Sequence, residues 1–157
     1  MNKRIEIWRS APARLAEVSL RERLAKLLDA VERCSVEPGA DEVHDLRVSI
    51  RRISQALRIF GPMLAGKPVK AMRKALRPVM ESAARVRDLD VGMERLIEEG
   101  LEESDPLIEE MRAERGREEM ALRGRLLLVK SKEPEIVWPA SLRTRVTSPK
   151  KRDGDSA

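Results

Sequence analysis

Along this chain apolar residues recur three and four positions apart, the spacing of a helical face, in four successive stretches. Leu20, Leu24, Leu27, Leu28 and Val31 mark a first helix from about Pro12 to Cys34, with Ser10 placed to cap it. Val36-Glu37-Pro38-Gly39-Ala40 breaks that helix, and Asp41 can cap a second one reaching Phe60, where Gly61-Pro62 ends it. A third stretch runs from Lys67-Pro68 towards Glu99 and Gly100, and Pro78 is expected to kink or interrupt it. Ser104-Asp105-Pro106 opens a fourth helix, from about Leu107 to Val129. Its stripe of Leu107, Met111, Leu122, Leu126 and Val129 is interrupted by Arg115 and Glu119. Gly116 and Gly124 each weaken that helix by about 1 kcal/mol relative to Ala. Beyond Lys130 the chain turns rich in Pro, Ser and Lys, as a flexible basic tail would. The expected fold is all-α: a four-helix bundle-like unit over 13–130, an extension over 1–12 and a tail over 131–157.

Composition narrows this picture. The length of 157 residues fits one domain, and aromatic residues make up only 2%. That scarcity counts against a stacking platform for single-stranded nucleic acid. A lone Cys34 excludes an intrachain disulfide and a Cys-cluster zinc site, and suits a reducing compartment. A lone His44 excludes a multi-His metal site within one chain. No secretory signal pattern and no apolar run near 18 residues is present, so a cytoplasmic protein off the membrane is expected. Neither a metal nor a cofactor is implied.

The net charge of +5 conceals a strong asymmetry. Between His44 and Arg87 eleven basic residues face only Asp45 and Glu81, a local charge of +9. Between Glu94 and Glu119 eleven acidic residues face four arginines, a local charge of −7. A basic half of this kind calls for an anionic partner.

The second helix separates its residue types by angle. At 100° per residue, Val43, Leu46, Ile50, Ile53, Leu57 and Phe60 fall in one sector roughly 100° wide. His44, Arg47, Arg51 and Arg58 fall in another, with Gln55 beside them, the two centres roughly 130° apart. The third helix repeats the scheme. Met72, Ala75, Leu76, Val79, Ala83 and Val86 make its apolar face, and Lys70, Arg73, Lys74 and Arg77 lie opposite. Charged rows are often no more than solvated faces. Here, however, like charges repeat at i,i+4 (Arg47–Arg51, Lys70–Lys74, Arg73–Arg77), a local cost that a binding site would explain. Arg offers forked donors that match phosphate oxygens, and Lys adds mobile point charges. Arg85-Val86-Arg87-Asp88-Leu89-Asp90-Val91 reads either as an intrahelical ion-pair cluster or as part of that site. Asp88 and Asp90 point to different helix faces and have no third carboxylate nearby in sequence, so they make no metal site.

Val43-His44-Asp45-Leu46-Arg47-Val48-Ser49-Ile50-Arg51-Arg52-Ile53, followed by Arg87-Asp88-Leu89-Asp90-Val91, resembles the CHAD family, the conserved histidine α-helical domains. The resemblance covers about 13–130. It implies a helical domain that binds inorganic polyphosphate through basic residues and histidines, and that can associate with polyphosphate granules. It points to His44, Arg47, Arg51, Arg52 and Arg87 as ligand-binding residues, with Asp88 and Asp90 supporting them. Arg58, Lys70, Arg73, Lys74 and Arg77 join them from the helical faces. Ser54 stands where the family often has a third basic residue, and Ala84 near a usual Gly. Family domains usually hold two similar four-helix units around a basic pore, of which this chain matches the first. The resemblance therefore implies a homodimer that restores the second half.

The leading expectation is non-enzymatic polyphosphate binding. No nucleophile–base pair, Gly-rich phosphate loop or metal-ligand cluster is visible in the sequence. Two other classes fit a basic helical chain: a DNA- or RNA-binding protein, and a helical scaffold whose acidic segment pairs with a basic partner.

Overall fold

The computed structural model describes residues 3–64 and 66–142, with side chains from residue 11 onward. All regular structure among them is helical: α1 (Lys3–Val36), α2 (Ala40–Phe60), a short 3-10 turn (Gly61–Met63), α3 (Gly66–Glu98), α4 (Pro106–Lys130) and α5 (Pro134–Ser141). None of these helices is long and apolar enough to cross a membrane.

Short connections make each of the first four helices pack antiparallel on the next. Close to the α1–α2 turn Arg33 pairs with Asp45 at 3.2 Å. Along α3 and α4 the partners run in opposite order, Asp90 with Arg115 and Ser82 with Arg125. The C-terminal end of α4 then returns across the end of α1, where Lys130 reaches Glu32 at 2.6 Å. One continuous core results. It contains Leu20, Leu24 and Leu27 of α1, Leu46, Ile53 and Leu57 of α2, Met72, Leu76 and Val79 of α3, and Leu122 and Leu126 of α4. The four-helix, all-α expectation holds, and the apolar rows read from spacing on α2 and α3 are largely buried. At the start of α4, however, Ile108 is buried in place of the expected Leu107, which is exposed.

Local chemistry explains the ends. Asp105 accepts a hydrogen bond from the Leu107 N–H at 2.9 Å and caps α4, with Pro106 just inside. Gly100 takes φ +107° after α3, a left-handed turn that glycine adopts without strain. There the Leu101 N–H returns to the Leu96 carbonyl and the Gly100 N–H to that of Ile97, satisfying the last carbonyls of α3. Within α3, Gly92 leaves room for Met111 of α4, whose Cε lies 3.0 Å from where a side-chain carbon would stand.

Four expectations are corrected. First, α1 begins at Lys3, so Ser10 lies inside the helix and does not cap it, and most of the supposed extension over 1–12 is helical. Pro12 forfeits only one hydrogen bond, too little to stop 34 residues of helix. Second, Gly39 occupies the cap position of α2 with no side-chain cap, and Asp41 sits in the first turn, where its charge favours the helix dipole. Third, α3 runs through Pro78 without a break. Leu76 and Val79 pin the segment to the core, and Arg125 of α4 donates to the Pro78 carbonyl at 2.7 Å and to the Ser82 hydroxyl at 2.6 Å. Fourth, the supposed tail is ordered over 131–142: α5 packs on α1 and α3 and buries Trp138 and Leu142. Its prolines, which suggest a tail by composition, sit at the first turn and inside a short helix. The rest of the expected tail, 143–157, lies outside the described residues.

Arg115 interrupts the apolar stripe of α4 because it has polar work inside the bundle. Its Nε donates to Asp90 at 2.7 Å, one Nη to Glu119 at 2.6 Å and the other to the Pro38 carbonyl at 2.9 Å. Three segments, the α1–α2 turn, α3 and α4, meet on one guanidinium. Burial works against its charge, but Asp90 and Glu119 outweigh that and hold its pKa above the ordinary value.

Two stability measurements follow from these interactions. Pro78→Ala restores the missing helix donor at an exposed position and should raise stability in urea unfolding by about 1–3 kcal/mol. A lowered midpoint would mean that the backbone geometry Pro78 imposes is needed for packing. Arg115→Met leaves the Asp90 carboxylate buried and uncompensated, and should cost about 2–4 kcal/mol in the same assay. Arg112→Met, which breaks an exposed pair with the Glu103 carboxylate and an exposed hydrogen bond to its carbonyl, should cost less than Arg115→Met, about 1 kcal/mol.

Candidate anion-binding groove

Burying the apolar rows of α2 and α3 against each other turns their basic rows outward side by side. Between them lies an open groove of about 620 Å³. Arg51 and Arg58 of α2 and Arg73 and Arg77 of α3 line it, over a floor that includes Ile50, Leu76, Met80 and Ala84. Ser54 and Gln55 add neutral polar groups, and Glu81 is its single carboxylate. A second concavity, of about 550 Å³, continues over the outer flank of α3 and adds Lys74 beside Arg73 and Arg77.

Of the ten basic residues read from the sequence, the structure brings Arg51, Arg58, Arg73, Arg77 and Lys74 around these two connected depressions. Lys70 is exposed one turn before Arg73 on α3. His44 and Arg52 are exposed on α2 but line neither depression. Arg47 and Arg87 are half-buried and likewise stand outside them. The Arg47 Nε is buried with no hydrogen-bond partner. Antiparallel packing turns the His44–Arg47 end of α2 towards the Arg87 end of α3.

The electrostatics of the groove are defined by what is missing. Arg77 donates to Glu81 at 3.0 Å, one turn away on the same helix. Arg51, Arg52, Arg58, Lys70, Arg73, Lys74 and Arg87 have no ion pair among the described residues. Elsewhere arginines find carboxylates: Arg33 with Asp29, Arg112 with Glu103, Arg115 with Asp90, Arg123 with Glu119. Cations that repel one another along two adjacent helices, with their counter-charges absent, favour an incoming polyanion. Arg forks suit phosphate oxygens, and the groove is open enough to admit a chain rather than enclose a small molecule.

Two residues of the Arg85–Val91 segment have partners on another helix. Asp90 binds Arg115 of α4, and Arg85 lies 3.6 Å from Glu118 of α4. These are interhelical ties between α3 and α4, not an intrahelical cluster. Asp88 is exposed and touches none of the cations of the row. No group of three His, Cys, Asp or Glu side chains able to hold a metal ion occurs among the described residues. The role of Arg115 escaped the sequence reading. A charge in the middle of an apolar stripe was the available signal, since such a residue must find partners inside the bundle.

No curated protein and no solved structure matches the chain. A family model, that of the CHAD domain, matches residues 18–130, from the middle of α1 to the last residue of α4. With the paired basic helices inside that span and close to three-quarters of the chain covered, the protein belongs to the CHAD domain family.

Proposed function

We propose that this chain binds inorganic polyphosphate, without chemical turnover, in the groove between α2 and α3. The observation that carries the reading is the set of four arginines, two from each helix, around one open depression with a single opposing carboxylate. Each guanidinium offers charge-assisted hydrogen bonds to phosphate oxygens, and release of counterions condensed on the polyanion adds a salt-dependent gain. Lys70 and Lys74 extend the positive field along α3. His44 and Arg47 extend it along α2, towards Arg87, so that a chain longer than the groove meets further cations. Glu81 holds Arg77 and trims the local potential, which sets affinity below the maximum the cations could deliver. Through this ligand the protein would associate with polyphosphate granules in the cytoplasm.

Calorimetric titration of long-chain polyphosphate tests the reading. Saturable binding is expected at low salt, weakening steeply as salt rises. Arg51→Ala with Arg73→Ala should lower affinity about a hundredfold and flatten the salt dependence, at about 1.5 kcal/mol or more for each charge-assisted hydrogen bond removed. Glu81→Gln should raise affinity, since it frees Arg77 and removes the carboxylate. An unchanged affinity in the double variant would overturn the assignment of the groove. Tighter binding of duplex DNA than of polyphosphate at equal charge would favour the nucleic-acid reading instead.

A further inference from the structure

Helix α4 is apolar on two sides. One side faces the core through Ile108, Leu122 and Leu126. At 100° per residue the opposite side carries Ala113, Met120, Gly124, Leu127 and Leu128 in a stripe roughly 100° wide and about 22 Å long. Met120 is 75% exposed, Leu127 61% and Leu128 65%, so none of the described residues covers the stripe. Gly124 weakens the helix with no return inside the described fold, because a side chain there would meet open space.

We propose that this outer face of α4 docks on the same face of a second copy of the chain, in an antiparallel, two-fold pair centred between Met120 and Ala121. Charge and shape fix both the partner and the direction. Glu109 and Glu110 are exposed near one end of the helix and have no ion pair among the described residues, and Lys132 is exposed just past the other end. A two-fold axis at that centre sets Glu109 and Glu110 of each copy against Lys132 of the other. The same register puts Ala113 against Leu128, and Arg117, the one charge inside the stripe, over Gly124. The glycine thus leaves room for the larger side chain. A parallel pair would instead stack the carboxylates on one another.

The assignment does not depend on what the basic groove holds. It also differs from the pairing that the family resemblance implies, around a shared basic pore, which would press two like-charged faces together. Here both α2–α3 grooves stay open on one dimer. Two sites joined in this way would grip a long polyanion more tightly than either alone.

A single helix-length of interface lies at the low end of specific associations, so the dimer is expected to dissociate in the micromolar range. Sedimentation equilibrium without any polyanion tests this. Gly124→Leu and Met120→Glu should each weaken the dimer about tenfold or more while thermal melting of the monomer is unchanged or improved. Lys132→Glu should weaken it as well, and Glu109→Lys with Glu110→Lys should restore it in that background, a rescue that a purely structural role would not produce. A strict monomer at several hundred micromolar would overturn the proposal. So would a dimer indifferent to the α4 variants, or one dissolved by Arg51→Glu.

Discussion

The structure turns on one constraint: α2 and α3 must bury their apolar rows in the same core. Val43, Leu46, Ile50, Ile53 and Leu57 on one helix, and Met72, Leu76, Val79, Ala83 and Val86 on the other, are almost fully withdrawn from water. Each fully buried aliphatic side chain of this size is worth about 1.5–3 kcal/mol, so the set far outweighs the repulsion among a few exposed cations. Because each basic row lies well over 90° from its apolar row, burial of the second leaves the first no choice of position. The two rows end on either side of one groove. Hydrophobic burial, which is indifferent to sign, therefore supplies the work of holding like charges together.

What distinguishes the groove from other charged surface on this molecule is pairing. On α1 and α4 acids stand where arginines can reach them: Arg33 and Arg115 tie helices, Arg112 holds the turn before α4, and Arg123 pairs with Glu119 within α4. On the facing sides of α2 and α3 the acids are withheld, and Glu81 alone remains. A protein selected only for stability would have little reason to segregate its charges in this way, since mixing them costs nothing and removes the i,i+4 repulsions. Segregation makes sense when the missing anions arrive with a ligand.

How much of this was legible beforehand depended on whether a residue acts through periodicity or through a distant partner. The buried rows of α2 and α3, the turn at Gly100 and the cap at Asp105 follow from spacing and local backbone chemistry, and all were readable. So were Arg51, Arg58, Arg73 and Arg77, because helical angle alone places them. Arg115 was not. Its three partners come from Pro38, Asp90 and Glu119, and two of these lie 77 and 25 positions away. Nor was α5: Pro134 and Pro139 gave its segment the composition of a tail, whereas Trp138 and Leu142 find the core only once α1 and α3 are in place. Pro78 misled for a related reason, since the continuity of α3 is secured by core packing and by Arg125 from another helix.

Shape bears on selectivity more than charge does. Proteins that read duplex DNA commonly push a convex helix into the major groove, so that cations stand proud of the surface. Here the four groove arginines flank a depression between two packed helices, whose axes lie about 8–10 Å apart in such pairs. A rigid duplex is too broad to enter a depression of that width, whereas a thin flexible chain can lie along it with cations on both sides. Single-stranded nucleic acid could lie there too, but among the described residues no aromatic ring lines the groove for its bases to stack on. Phe60 is packed against the core, Trp138 is buried on the inner side of α5, and neither lines the groove. A polyanion that is thin, densely charged and free of bases meets every condition that the groove imposes.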